Sequence, residues 1–221
     1  MLRVEDLNLG GLKIYQDEKL YCFTSDAILL SRFARVKSGD DVADFCSGSG
    51  IVGLHLYGLN SNLIKSVTLF EMQKSMFDMS KKSIELNNLQ SKFFAHNVKV
   101  QDIPSSFNER FSLIVCNPPY MKCQAGQSSE NPSIAVCKAE IELSLQELIS
   151  SIGKCLKFGG RTCIVHRADR LCEVISEMQK RNIEPKRLQI VCAKNKAPYL
   201  ILIEGVKGGK SGIEILPPIE N

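Results

Sequence analysis

Short apolar strands alternating with helical segments constrain this chain more than any other feature of its sequence. Asp41–Cys46, Ser66–Glu71, Lys92–Asn97, Phe111–Cys116 and Arg161–His166 read as strands. Helical patterning occupies roughly 51–58, 73–88, 138–156 (with Gly159-Gly160 ending it) and 169–181. Lys186–Cys192 and Ala197–Gly205 read as a closing strand pair around a polar loop. Strands that are apolar throughout, rather than in alternation, need cover on both faces. The expected fold class is therefore α/β: a doubly wound, mainly parallel, seven-stranded sheet. Ligands on such sheets bind beyond the carboxyl ends of the strands, so the segments after the first four strands are where chemistry is expected.

Ahead of the alternation, residues 10–23 (GGLKIYQDEKLYCF) have the pattern of a short hairpin. Thr24 or Ser25 is placed to cap a helix running to Ala34, with Asp26 in its first turn. The expected organisation is an N-terminal hairpin and helix over 1–37, then one catalytic-size domain over 38–221. There is no repeat and no low-complexity tract.

Composition narrows the class. No apolar run approaches the roughly 20 residues of a membrane span, and Met1-Leu2-Arg3-Val4-Glu5-Asp6 lacks the profile of a secretory leader. Nine cysteines are scattered without a C-x-x-C pair, and His55, His96 and His166 are dispersed. That spacing suits neither a disulfide framework nor a metal cluster; the expectation is a reducing cytoplasm and no metal. Charge is uneven. Residues 1–150 hold 15 basic and 17 acidic groups, and 151–221 hold 13 and 7. A basic C-terminal third suits a polyanion such as RNA, or is simply a solvated surface.

After the first strand, Gly48, Gly50 and Gly53 in Asp44-Phe45-Cys46-Ser47-Gly48-Ser49-Gly50-Ile51-Val52-Gly53 satisfy G-x-G-x-x-G. Such a turn suits a dinucleotide or S-adenosylmethionine. Asp44 favours the latter: its carboxylate attracts a ligand ammonium and repels a pyrophosphate. Cys46 belongs to the same turn. Glu71, 27 residues beyond Asp44, ends the second strand where a carboxylate accepts from two ribose hydroxyls, with Met72 beside it. After the third strand, Asn97 and Val98 are the candidate adenine contacts, and Asp102 is the alternative to Asn97.

The fourth strand runs straight into Asn117-Pro118-Pro119-Tyr120. An exocyclic amine on a purine is a poor nucleophile, because its lone pair is delocalised into the ring. Two acceptors on its two N–H bonds, the Asn117 side-chain oxygen and the Pro118 carbonyl, pull the nitrogen toward tetrahedral geometry and aim the lone pair. Pro118 and Pro119 stiffen the loop and keep Asn117 extended. Tyr120 offers a flat face to a planar substrate.

With these motifs in place, the sequence resembles the class I S-adenosylmethionine-dependent methyltransferases of Rossmann-like fold, in the N-P-P-Y amino-methyltransferase group. Within it the chain is similar to the bacterial tRNA(Val) adenine-37 methyltransferases. The resemblance extends over nearly the whole chain, including Gly10–Gln16, Phe23–Leu30, Val165-His166-Arg167, Pro185-Lys186-Arg187 and Leu202–Gly205. It implies S-adenosylmethionine as cofactor and a tRNA as partner. Thr24 and Asp26 would border the methionine end of the cofactor or cap the helix. His166, Arg167, Lys186 and Arg187, with Lys194 and Lys196, would contact RNA phosphate or serve the fold, and 121–136 would form a substrate-side loop. Two segments depart from the family pattern: Asn97-Val98 replaces an acidic residue, and Ala135-Val136-Cys137-Lys138-Ala139-Glu140 replaces an Ala-Arg-His-Glu run.

Three rivals share part of this evidence. A protein glutamine methyltransferase uses the same motif but carries a long helical domain ahead of the cofactor fold; here about 40 residues precede the first strand. A guanine amino-methyltransferase would use similar acceptors. A non-catalytic RNA-binding module would have no need of Asp44, Glu71 and Asn117 together. Monomer and homodimer both remain open.

Overall fold

A computed structural model of the chain describes residues 2–18, 25–119 and 143–221. Its centre is a sheet built from β3 (Asp40–Phe45), β4 (Ile64–Glu71), β5 (Phe93–Asn97), β6 (Phe111–Cys116), β7 (Leu156–Arg167), β8 (Ile183–Cys192) and β9 (Pro198–Lys207). The spatial order is β8-β9-β7-β6-β3-β4-β5. β3 pairs in parallel with both β4 and β6, β4 with β5, and β6 with β7, whereas β9 runs antiparallel between β7 and β8. The seven-stranded, mainly parallel sheet expected from the sequence is present. Two-residue strands β10 (Glu214–Ile215) and β11 (Ile219–Glu220) extend it beside β8.

The strand parity explains why the sequence is apolar without alternation. In β6, Leu113 and Val115 enter one core while Ile114 and Cys116 enter the other, and all four are fully buried. Helices α1 (Ser25–Phe33), α2 (Ile51–Asn60) and α3 (Lys74–Leu86) line the first face, and α4 (Leu145–Cys155) and α5 (Leu171–Lys180) the second. Each buried aliphatic side chain contributes about 1.5–3 kcal/mol. Ile14, Ala27, Leu30 and Phe33 share the first core with Leu54 and Val115, so the N-terminal segment and the sheet are one packed unit.

Three boundaries differ from expectation for physical reasons. The N-terminal hairpin joins β1 (Leu2–Asp6) to β2 (Lys13–Asp17), so Gly10-Gly11 are its turn rather than its beginning. β2 docks on α3, where Lys13 N–H donates to Asn87 Oδ1 (2.8 Å) and Tyr15 N–H to Ser83 Oγ (3.0 Å). That contact covers an otherwise open strand edge. Helix α4 begins at Leu145, because Ser144 and Glu147 form a reciprocal capping box; residues 138–142 lie outside the described chain. Gly159-Gly160 do not end that helix. They lie in β7, where Gly159 at φ +73° belongs to the register shift between β6 and β7.

One ionic cluster fixes the lower edge of the sheet. Arg161 Nη2 donates to both Asp40 oxygens, at 2.8 and 2.6 Å, and Arg161 Nη1 donates to the Arg35 carbonyl beyond α1. Asp40 also accepts from Ser112 Oγ and Lys37 N–H, each at 2.7 Å. Both side chains are almost fully buried. Removing one partner leaves an uncompensated buried charge, so Arg161→Met should lower unfolding free energy by roughly 3–5 kcal/mol. The pair Arg161→Met with Asp40→Leu should recover most of that in urea denaturation. Equal losses in the single and double variants would contradict the ion-pair account.

Candidate active site

The carboxyl ends of β3 to β7 converge on one rim, and the residues singled out by motif collect there. β3 ends at Phe45, whose Cα partner on β6 is Cys116. The glycine turn after β3 and the Asn117-Pro118-Pro119 exit of β6 are therefore side by side. Pro118 is buried, and Asn117 and Pro119 are half-buried. Cys46 leaves β3 at φ +57° with its thiol against that of Cys116, whose ionisation burial suppresses first and Cys46 further. Tyr120, Thr24 and the 121–136 loop lie outside the described residues.

Two buried carboxylates hold the turn. Asp44 is fully buried and its Oδ2 accepts from Gly53 N–H in the first turn of α2 at 2.8 Å. Glu71 Oε2 accepts from Gly48 N–H at 2.8 Å, and Oε1 from Gln73 N–H at 2.7 Å. Both oxygens keep further lone-pair capacity for hydroxyl donors. Two glycines are required by geometry. Gly50 caps α2 at φ +88°, a region costly for other residues. A Cβ on Gly53 would stand 2.9 Å from Leu69 Cδ2 and 3.3 Å from Asp44 Oδ2, so a side chain there would press on Leu69 and on the Asp44 carboxyl.

Among the described residues Asp44 Oδ1 is buried with no hydrogen-bond partner, and so is Ser47 Oγ. Burial drives the Asp44 carboxyl up to about 8; the Gly53 N–H opposes this and the charge of Glu71 adds to it. Glu71 is also raised, by burial, against the pull of its backbone N–H donors. An orphaned acid oxygen of this kind lacks a counter-charge. An ammonium-bearing ligand seated on the glycine turn supplies it, with Glu71 placed for vicinal hydroxyls. The residues therefore fit the amino-acid and ribose parts of S-adenosylmethionine.

The remaining candidates divide. Asn97 Nδ2 donates to the carbonyls of Glu71 (2.8 Å) and Met72 (2.9 Å), so the amide's donor side ties down the β4 exit. Its acceptor oxygen is the part suited to an adenine amine. Val98 N–H is bound to the Glu71 carbonyl at 3.1 Å, which removes it as a ring-nitrogen donor. Asp102 ends a short 3₁₀ turn and is exposed. Asp26 sits in the first turn of α1 at the same rim, where Asn221 Nδ2, next to β11 and the end of β8, reaches Ser25 Oγ at 3.0 Å. His166 ends β7 almost fully buried; burial and Arg170 pull its imidazole down to about 4. Its Nδ1 accepts the Arg167 N–H at 2.9 Å, which leaves the proton on Nε2. Arg167 pairs with Asp169.

Lys186 and Arg187 do not join this group. Arg187 lies mid-strand on β8, in register with Glu204 and through it with Cys163, and its side chain turns toward Phe33 at the C-terminal end of α1 rather than toward the rim. Arg187 is buried, ion-paired to Glu204 at 2.8 Å and stacked over Phe33 at 4.5 Å. A guanidinium so placed serves the fold rather than an RNA phosphate. The charge was readable in the sequence; the position required the pairing of β8 with β9. The orphaned Ser47 Oγ was not among the sequence candidates, because nothing in its spacing separates it from an ordinary turn serine.

Among the described residues no three His, Cys, Asp or Glu side chains are placed to hold a metal ion, and no helix is long and apolar enough to cross a membrane.

Comparison with known proteins agrees with this geometry. Residues 23–196 match the family model for the methyltransferase small domain. A tRNA1(Val) (adenine(37)-N6)-methyltransferase from a Flavobacteriaceae bacterium (strain 3519-10) is 23% identical over 200 residues, covering 83% of this chain and 81% of the relative. Among solved structures, a predicted O-methyltransferase from Agrobacterium tumefaciens superposes with a TM-score of 0.67 at 16% identity, covering 88% and 86% of the two chains. Pyrococcus horikoshii TYW2, in complex with MeSAdo, gives 0.65 at 16% identity, covering 94% and 72%.

The charge state of Asp44 gives a test. Below pH 8 the free carboxyl holds a proton, and an ammonium placed against it expels that proton. Binding of S-adenosylhomocysteine at pH 6.5 should release close to one proton, measured by calorimetry in buffers of different ionisation enthalpy. Asp44→Asn should release none and bind more weakly. Linkage gives a second reading. A carboxyl held high in the folded state binds more protons than in the unfolded chain between about pH 4 and 8, so ligand-free stability falls as pH rises through that window. Ligand-free Asp44→Asn should then melt higher than wild type at pH 8, by roughly 3 °C or more, and the gap should close near pH 4. A variant that melts lower at pH 8 would contradict the assignment.

Proposed function

Because the chain belongs to the methyltransferase small domain family, we propose that it transfers the methyl group of S-adenosylmethionine to the exocyclic amino group of an adenine in tRNA. The specific target in this reading is adenine 37, beside the anticodon of a valine tRNA. One observation carries it: the rigid Asn117-Pro118-Pro119 exit of β6 lies directly beside the glycine turn that Asp44 and Glu71 hold. The relative named for the adenine-37 reaction supports the choice of substrate.

S-adenosylmethionine, when bound, supplies an electrophilic methyl group on a sulfonium. The chain's own residues do the rest. Asp44 takes the ammonium of the methionine part and Glu71 the ribose. Asn117 Oδ1 and the Pro118 carbonyl accept the two N–H bonds of the target amine, so that its lone pair is directed at the methyl. Tyr120 provides the stacking face for an unstacked base. No general base is required to start the displacement: the N–C bond would form as the sulfonium C–S bond breaks, the thioether would leave neutral, and the methylated amine would then give its proton to water. Orientation of this kind supplies up to about 7–11 kcal/mol of the barrier. Burial of His166 keeps its imidazole neutral at the same rim, where an Nε2–H donor suits RNA phosphate or base oxygens.

Asn117→Ala should keep S-adenosylhomocysteine affinity within about twofold and lose roughly 10²–10³-fold in kcat, the usual effect of deleting one oriented polar group. The readout is incubation with labelled donor and bulk tRNA, followed by nucleoside mass spectrometry. N6-methyladenosine is the expected product. Label on protein glutamine or on guanine, with none on adenine, would overturn the substrate assignment, and near wild-type turnover of the variant would overturn the role of Asn117.

A further inference from the structure

On the α1 side of the sheet, at the end away from the glycine turn, lies a cavity of about 570 Å³ whose wall includes Arg35, Lys37, Arg161, Lys186, Arg187 and Glu204. Glu214 is its other acidic member. Counting Asp40 behind Arg161, five cations face three carboxylates, a net charge of +2. The charges are not equivalent. Arg161 and Arg187 are locked to Asp40 and Glu204 and form a rigid floor, with Arg187 Nε buried without a hydrogen-bond partner among the described residues. Arg35 and Lys37 are exposed, and the one ion pair of Arg35 among the described residues is a long contact of 3.9 Å to Glu214. Lys186 Nζ is held by a neutral acceptor, the Lys210 carbonyl, at 3.0 Å. The cavity thus has a fixed base and three cations still able to take an anion.

The same edge of the sheet continues the charge. Lys157 at the start of β7, Lys65 on β4 and Lys92 just before β5 follow Lys186 and Lys37 across the strand order. Lys157 and Lys65 share one carboxylate, Asp41, at 3.7 and 3.2 Å, so the pair retains a net positive charge. Lys92 Nζ contacts only a carbonyl among the described residues, that of Lys65 at 3.4 Å. A small anion would use the cavity alone. A row of cations leading out of it matches a ligand with a row of negative charges.

Resting on the RNA reading above, we infer that this cavity and the lysine edge beyond it bind backbone phosphates of the RNA substrate at a distance from the target base. β3 separates the two ends of the sheet with six residues, about 20 Å at 3.3 Å each. At 3.4 Å of helix axis per nucleotide of one strand, that is about six nucleotide steps. The contact therefore reads the size and shape of the RNA, and a short oligonucleotide around the adenine does not reach it.

The test uses Lys37→Glu/Lys186→Glu, with Lys37→Gln/Lys186→Gln as the milder pair should the first fold poorly; unchanged melting and S-adenosylhomocysteine binding verify folding. For full-length tRNA, filter binding should show Kd raised at least tenfold, with the slope of log K against log salt reduced by about one to two. In turnover, KM for tRNA should rise with kcat unchanged. A five-nucleotide strand with the target adenine at its centre, two steps from either end, should not distinguish variant from wild type. Unchanged tRNA affinity and salt slope would overturn the inference. Submillimolar binding of inorganic pyrophosphate, lost in the variant while tRNA binding is kept, would overturn it in favour of a small-anion site. Because binding is read without methyl transfer, the two readings fail separately. Rim-dependent tRNA binding without N6-methyladenosine sinks only the proposed reaction, and N6-methyladenosine formation with a rim-independent Kd sinks only this inference.

Discussion

The site depends on a carboxylate that the fold buries without a counter-charge. Asp44, next to the end of the central strand, has zero exposure, gives one oxygen to the α2 backbone and leaves the other unpaired among the described residues. Proteins rarely keep such a group unless a ligand completes it. The cost is borne by the surrounding structure. Glu71 and the Gly48 and Gly53 N–H groups fix the turn, and the β3–β4 and β3–β6 ladders fix the strand ends. The same ladder that positions Asp44 sets Cys116 beside Phe45, and so brings Asn117 to the turn. The proposed donor and acceptor sites are two consequences of one parallel register.

The two ends of the sheet use carboxylates in opposite ways. Asp40, at the start of β3, is almost fully buried, and it is saturated: Arg161, Ser112 and Lys37 N–H occupy it. Asp44, four residues on, is left incomplete. Satisfaction at one end gives rigidity, and deficiency at the other is what the proposed ammonium contact would complete. This division separates stability from ligand binding along a single strand. It also explains why the glycine turn can remain poised while α1 is clamped to the sheet by Arg161 and Arg187.

Much of this was legible in the sequence, because hydrophobic runs and glycine spacing report directly on strand burial and tight turns. The succession of strands along the chain, the placement of Asp44 and Glu71 at strand ends and the exit of β6 into Asn117 all follow from local patterns. What was not legible depended on long-range pairing. Lys186 and Arg187 read as free cations near a substrate, yet the antiparallel β8–β9 pairing sets Arg187 mid-strand and turns it inward onto Phe33 and Glu204. Gly159-Gly160 read as a helix stop, yet the helix had already ended at Cys155 and the glycines accommodate a sheet irregularity. Val98 offered a backbone donor on paper, but the Glu71 carbonyl already holds it.

The most direct measurement is a crystal structure of the protein with S-adenosylhomocysteine bound. The account requires the ligand's amino nitrogen within hydrogen-bond distance of Asp44 Oδ1, its ribose hydroxyls on Glu71, and its sulfur facing the Asn117 side-chain oxygen across a gap wide enough for one methyl group. A ligand seated elsewhere on the chain, or a sulfur turned away from Asn117, would contradict it and leave only the fold standing.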